Sequence, residues 1–113
     1  MTIPYSTSGT IDANGESVAI DYRGEVPNTR RFNGAAGIQL VGTFTGTLNI
    51  EVTRDGTTYA PIQALNEATG MLNTAMTAAG LYRAELAGVR ALRVKSVAWT
   101  DGAVSVTLLA VEG

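Results

Sequence analysis

The side chains that could perform chemistry in this sequence are almost all carboxylates and guanidinium groups. The chain contains no histidine and no cysteine, so it lacks the commonest general base, the commonest transition-metal ligand and any thiolate nucleophile. Catalysis would need paired carboxylates, a Ser/Lys pair or a carboxylate-bound metal. Asp12, Glu16, Asp21 and Glu25 are spaced around the first predicted strands. Asp12 and Glu16 flank a turn and Glu25 lies in a loop, so surface solvation explains them more simply than catalysis does. The sequence therefore predicts a protein that is not an enzyme and has no catalytic residues.

Two further carboxylates, Asp55 and Asp101, each precede a glycine. An aspartate in a turn can accept hydrogen bonds from the local backbone N–H groups. Calcium can bind such loops, but neither position is followed by the repeated oxygen ligands of a dedicated site. The glycine-rich stretches show no phosphate-loop pattern. No metal and no cofactor is expected.

The basic and aromatic residues bear on binding. The net charge is −2, and the one basic cluster, Arg90, Arg93 and Lys95, is small. Because phosphate neutralisation dominates the affinity of nucleic-acid binders, no nucleic acid is expected as a partner. An exposed aromatic side chain can serve as a platform for sugars. Strand parity directs Tyr59, Tyr22 and Tyr82 toward the core, which leaves Trp99 as the platform candidate.

No apolar run approaches the roughly 20 residues that a transmembrane helix needs, so no membrane partner is expected. The first residues show neither the basic segment nor the apolar segment of a secretory signal. The expectation is a protein made in the cytoplasm.

The central stretch Gly37–Ile62 predicts three strands, because apolar and polar residues alternate along it. A two-residue turn at Asp55-Gly56 would place Val52 opposite Tyr59 on the apolar face. A three-residue loop, Thr45-Gly46-Thr47, would place Phe44 opposite Leu48 and keep the apolar residues on one side.

The rest of the chain shows similar patterns. Strands are predicted before and after a turn at Ala13-Asn14-Gly15, over Leu81–Leu86, over Ala91–Trp99 and over Ala103–Val111. The Asp101-Gly102 turn admits two hairpin registers, which a bulge near Val97 would reconcile, and the burial of Trp99 depends on the choice. Residues 63–79 have a helix-like apolar spacing that Gly70 and several threonines oppose.

Parts of this pattern resemble a small β-sandwich module of tailed-phage and prophage virion proteins. The matching segments are Gly42-Thr43-Phe44, Gly46-Thr47-Leu48, Glu51-Val52, Asp55-Gly56-Thr57-Thr58-Tyr59, Ala79-Gly80-Leu81-Tyr82-Arg83, Ala87-Gly88, Arg93-Val94 and Trp99 to Leu108. The resemblance covers about residues 9 to 111. It implies a loop and a short strand in residues 63–79. It carries over no catalytic or ligand-binding residue, because the matching positions are strand and turn residues.

Together these observations predict an all-β fold, a two-sheet antiparallel β-sandwich, jelly-roll-like, with about eight strands. Residues 1–8 are expected to form an N-terminal arm and residues 9–113 a single domain. The resemblance implies a virion structural protein that decorates or stabilises the capsid or head-to-tail region, through contacts with the major capsid protein or other virion proteins. A homo-oligomer is expected, with a trimer as the first guess. The alternative is a carbohydrate-binding module of a tail fibre or baseplate. The residues predicted to contact partners are Ile3, Tyr5, Arg30, Arg31 and Trp99.

Overall fold

The computed structural model describes residues 4–21, 32–86 and 88–112, and the regular structure within these ranges is entirely β-strand. This agrees with the predicted all-β class and strand number. The strands are β1 (Pro4–Ile11), β2 (Ser17–Asp21), β3 (Phe32–Thr53), β4 (Ala60–Ile62), β5 (Ala64–Asn66), β6 (Met71–Asn73), β7 (Gly80–Glu85) and β8 (Ala91–Glu112).

Two strands of 22 residues, β3 and β8, form the frame of the molecule. They pair antiparallel from Phe32 opposite Glu112 to Thr53 opposite Ala91. At one end β1 pairs with β8, β7 pairs with β3, and β5 and β6 continue the sheet beyond β7. We call this end the wide half. At the other end, the narrow half, β2 pairs with β8 and β4 pairs with β3.

The two halves share one hydrophobic core. Ile38 and Leu108 of the wide half and Ile50 and Val94 of the narrow half belong to the same cluster of buried side chains. The halves also approach closely, because a Cβ added to Gly9 would lie 2.9 Å from Cγ2 of Val18. The described strands form one continuous hydrogen-bonded sheet whose halves fold over a common core. This arrangement is consistent with the predicted two-layer packing.

Bulges and glycines allow β3 and β8 to pass from one half to the other. The pairing of β3 with β8 shifts between Thr45 and Gly46 and again between Thr47 and Leu48, which leaves Thr100 and Val97 of β8 without a partner in the ladder. Gly102 has a φ of 87°, in the region that favours glycine. Bulges bend a strand and increase its twist, so this segment is the bend of the sheet.

The predicted hairpins at Thr45-Gly46-Thr47 and Asp101-Gly102 are therefore wrong. Both segments lie inside continuous strands, and Phe44 faces Gly102 instead of Leu48. The parity prediction is confirmed, because Ile38, Leu40, Leu48 and Ile50 are all buried on the same face. The segments around Gly46 and Gly102 lie where β3 and β8 bend. A bend needs the same backbone freedom of glycine as a turn does, so the sequence signal is the same for both.

The connection at Asp55-Gly56 is confirmed as the link between β3 and β4, with Gly56 at a φ of 84°. Its predicted register is wrong, since Val52 pairs with Ala60 rather than with Tyr59. The turn is longer because the Asp55 carboxylate accepts hydrogen bonds from N–H groups of Thr57 and Thr58, each at 2.8 Å. The predicted core position of Tyr59 is also wrong: its ring is half-buried beneath the guanidinium of Arg93, 3.9 Å from its centroid.

The remaining predictions concern the first strands and residues 63–79. Residues 4–8, predicted as an arm, lie in β1 and pair with β8, while residues 1–3 lie outside the described residues. The predicted turn at Ala13-Asn14-Gly15 is present, but β1 and β2 both pair with β8 rather than with each other. Residues 63–79 contain two short strands, β5 and β6, and no helix.

Candidate protein-contact surface

The outer face of the narrow half, which points away from the core, carries charged side chains, two of which form an ion pair. Nε of Arg93 donates to Oε1 of Glu51 at 2.7 Å, and the same guanidinium covers the ring of Tyr59. Lys95, two residues further along β8, is also part of this strand and is half-buried. Such a face is typical of a sheet surface that is solvated on one side.

The outer face of the wide half is different. The register brings Leu109, Gly37 and Arg83 into one row, and Thr107, Gln39 and Leu81 into the next. On β1, β8 and β3 this face is formed by uncharged side chains. They are Ser6, Ser8, Thr10, Ser105, Thr107, Leu109, Gln39 and Val41, and all of them except the half-buried Thr107 are exposed. We call this the uncharged face.

Large apolar side chains stand on and beside the uncharged face. Val41, Leu81 and Leu109 are 56%, 54% and 52% exposed. Leu81 and Leu109 line a groove of about 210 Å³, together with Gly37, Gln39 and Glu67. Because contiguous exposed apolar surface marks sites of protein contact, this groove is the best candidate for a partner site. Val41 and Leu109 each follow a buried leucine of the same strand, Leu40 and Leu108, so strand alternation places them on the outer side.

A second exposed apolar element is the hairpin formed by β5 and β6. Met71 and Leu72 are 64% and 60% exposed. The turn between the strands is closed by a hydrogen bond from the N–H of Gly70 to the carbonyl of Asn66 at 2.8 Å. Met76, which follows this hairpin in the sequence, is buried and pairs with Leu48 at the bend.

Trp99 lies at the bend of the sheet and is half-buried. Its ring stacks on Phe44, with centroids 5.0 Å apart and an interplanar angle of 4°. Its Nε1 donates to the carbonyl of Gly102 at 3.1 Å, and a Cβ on Gly46 would lie 2.5 Å from its Cε3. These contacts hold the indole against its own sheet, so Trp99 has a packing role whether or not it also meets a partner.

The carboxylates are engaged in turns. Hydrogen bonds from the N–H groups of Thr58 and Thr57 and from the Thr53 hydroxyl lower the pKa of Asp55 to about 2. Glu16 accepts from the N–H groups of Asp12 and Ala13, which lowers its pKa, and its nearby carboxylate raises the pKa of Asp12. Among the described residues, no three His, Cys, Asp or Glu side chains come together in a way that could hold a metal ion.

Of the residues predicted to contact partners, Trp99 is the one whose side chain the structure describes. Tyr5 is placed by its backbone in β1, opposite Ala110, while Ile3, Arg30 and Arg31 lie outside the described residues. Sequence analysis missed Leu81, Met71 and Leu72 as exposed apolar residues. The alternation of β7 identifies Leu81 as outward-facing, whereas no sequence signal identified the β5–β6 hairpin as exposed on both sides.

The fold is shared with proteins of known structure, one of which is prophage-derived. The SPBc2 prophage-derived protein YomS superposes over 98% of this chain and 96% of its own length, with a TM-score of 0.69 and 16% sequence identity. The PBSX exported protein XepA matches with a TM-score of 0.70 and 14% identity, over 96% of this chain and 38% of XepA. PirA matches less well, with a TM-score of 0.53 and 12% identity over 94% of this chain and 93% of its own.

No protein-family model and no curated protein matches the sequence. The structural likeness confirms that the predicted resemblance holds for the fold: this is a small all-β module of the kind found in prophage-derived proteins. Within residues 4–21, 32–86 and 88–112 there is also no helix long and apolar enough to cross a membrane.

Proposed function

We propose that this chain is a structural protein of a phage virion, which decorates or stabilises the capsid or the head-to-tail region through protein–protein contacts. The observation that carries the proposal is the likeness of the whole fold to prophage-derived YomS, which extends over nearly the full length of both chains. In this proposal the protein is not an enzyme and uses no cofactor. It acts in the virion after synthesis in the host cytoplasm, as a small homo-oligomer.

The uncharged face supports the proposal. A protein that works by attachment needs an exposed surface that loses little hydration energy when it is covered, and uncharged polar and apolar groups meet this condition better than ion pairs do. Leu81 and Leu109 supply the apolar contacts, and Gln39 lies between them with hydrogen-bonding capacity. The opposite half, with its Arg93–Glu51 pair, is less suited to dry contact.

The experiment is an attachment assay with purified particles of the phage or prophage that encodes the chain. Particles that lack the protein are incubated with the labelled protein, and bound label is measured after sedimentation, with separated heads and tails tested in parallel. The wild type should bind at a defined stoichiometry. L81Q/L109Q should bind at least about tenfold more weakly, because two apolar anchors of the interface are lost.

The matched control is M71Q/L72Q, which removes a similar apolar surface from the β5–β6 hairpin. Both double variants change exposed side chains, so both should fold normally. Equal loss in the two variants would show that attachment depends no more on the uncharged face than on the β5–β6 hairpin. No binding of the wild type to heads or to tails would contradict the proposed function.

The carbohydrate-binding alternative predicts that glycans change the fluorescence of Trp99. Because the indole already stacks on Phe44 and donates to Gly102, a sugar would have to use the remaining surface of the half-buried ring. A saturable fluorescence change with a glycan, together with calorimetric binding of the same glycan that W99F abolishes, would favour this alternative over a purely structural role.

A further inference from the structure

The outer edge of β1 is the longest unpaired strand edge among the described residues. β1 has eight residues and pairs with β8 in an unbroken register from Pro4 opposite Val111 to Ile11 opposite Val104. Among the described residues no strand pairs with its other edge. The strand therefore presents a row of backbone N–H and C=O groups that can form hydrogen bonds with another strand.

The other strands with a described partner on one side only are shorter. β2 has five residues and ends at Asp21, while β4 and β6 have three each, and β4 contains Pro61. Short length, charge and proline are the features by which proteins protect strand edges from pairing. β1 lacks them after Pro4: residues 5–11 contain no charge and no proline, and its register shows no bulge.

We propose that two copies of this chain associate through β1, which pairs antiparallel with β1 of the second copy across a two-fold axis. This inference takes one element from the proposed function, namely that the protein forms a homo-oligomer. The partner of the β1 edge is therefore a second copy of the chain. Antiparallel pairing of a strand with itself closes after two subunits. A trimer would need β1 to pair with a different edge, and the described alternatives span at most five residues.

The sequence of β1 also selects a register. Residues directly opposite each other in an antiparallel pair point to the same face of the sheet. The outer faces of both copies therefore lie on the same side only if one residue of β1 lies on the two-fold axis and faces its own copy. With Ser8 on the axis, Ser8 faces the second copy's Ser8, Thr7 faces Gly9 and Ser6 faces Thr10. This register leaves Pro4, which has no N–H to donate, outside the ladder, whereas an axis on Thr7 would include it.

Charge favours a second copy as the occupant. A self-pairing strand brings identical side chains together, so any charge near the axis would repel its copy. Ser6, Ser8 and Thr10 carry none and are exposed on the outer side. Cross-strand Ser and Thr pairs stabilise antiparallel ladders through hydrogen bonds. The pairing would join the uncharged faces of two copies into one continuous surface.

The test is sedimentation velocity of the isolated protein across a wide range of concentrations. The wild type should form a reversible dimer. S8K and S8D should each weaken dimerisation by at least about tenfold, since like charges would meet on the axis. An equimolar mixture of S8K and S8D should recover dimerisation, because Ser8 faces its own copy only in this arrangement.

The matched control is Q39K, which adds the same charge to an exposed position of the same face on β3, two strands from the edge. It should dimerise like the wild type, and circular dichroism should show that all variants are folded. A wild type that stays monomeric at every concentration would overturn the proposal. So would an S8K variant that dimerises normally, or a dimer weakened by L81Q/L109Q but not by S8K. None of these results depends on phage particles, so the attachment assay can succeed or fail independently.

Discussion

The hydrogen bonds of Asp55 make the link between β3 and β4 sensitive to pH. In the folded protein the pKa of Asp55 is about 2, whereas an aspartate in an unfolded chain titrates near pH 4. The folded pKa is the lower one, so the stability contributed by the ionised carboxylate is present above about pH 4 and is lost as the pH falls toward about 2.

We expect the melting temperature of D55A to depend less on pH than that of the wild type between about pH 4 and about pH 2. Thermal melts followed by circular dichroism at several pH values would measure this difference. D101A is the control for the loss of one negative charge, because it removes a second carboxylate that precedes a glycine and leaves the hydrogen bonds of Asp55 in place. Parallel profiles for D55A and the wild type would show that the three hydrogen bonds of Asp55 contribute nothing to stability.

Asp55 also shows how far residue types predict local structure. The Asp-Gly pair located the turn correctly, and the glycine adopts the positive φ that this signal implies. The register was wrong by one residue because the signal does not encode loop length. The length is set by the side-chain hydrogen bonds to Thr57 and Thr58, and their effect was to move Tyr59 away from the core.

At the scale of the strand, the bend depends on close contact between β3 and the indole of Trp99. A Cβ at Gly46 would lie 2.5 Å from Cε3 of Trp99 and 2.7 Å from the carbonyl oxygen of Ala98. G46A should therefore lower the free energy of unfolding by about 1–3 kcal/mol, as overpacking does. Urea denaturation followed by Trp99 fluorescence measures both the stability and the environment of the ring.

Gly37 provides the control on the same strand. A Cβ there meets no atom within 4 Å, and no positive φ restricts the residue. G37A should be neutral or stabilising by up to about 1 kcal/mol, because alanine reduces the freedom of the unfolded chain. Equal effects of G46A and G37A would mean that the contact at the bend adapts without cost.

Strand β3 shows why the buried positions of a strand could be predicted from the sequence better than its partner strand. Along β3 the inward positions continue without interruption from Ile38 through Phe44 and Gly46 to Ile50, so parity alone is compatible with one long strand. A hairpin with a three-residue loop preserves the same parity, and the glycine favoured that interpretation. The choice depends on a partner, β8, that lies far away in the sequence, and no local pattern contains that information. The same limit applies to the candidate surface, because alternation marks Val41 and Leu109 as outward-facing in their own strands but does not show that these strands are neighbours.

At the scale of the whole molecule, β3 and β8 run through both halves, so we expect the halves to unfold as one cooperative unit. Ile38 lies in the wide half and Ile50 in the narrow half, and both are buried. I38A and I50A should each cost about 2–5 kcal/mol. Each variant should nevertheless unfold in a single transition, with coincident curves from circular dichroism and Trp99 fluorescence.

The control for these variants is V41A, on the exposed side of the same strand. It should change the free energy of unfolding by no more than about 0.5 kcal/mol. Two separate transitions in I50A, with the wide half persisting after the narrow half has melted, would show that the halves are independent in spite of their shared strands.

The pairing of β1 and β2 with β8 has a consequence for biosynthesis. Gly9 requires Val106 as its partner, and Val18 requires Val94, so neither strand can complete its pairing while β8 is still inside the ribosome. The first strands are synthesised long before their partner and must remain unpaired until then. Such long-range pairing slows folding, and the uncharged β1 segment is exposed during the delay. The nascent chain is thus most exposed to aggregation before β8 emerges, and chaperone binding to its first strands would be of most use at that stage.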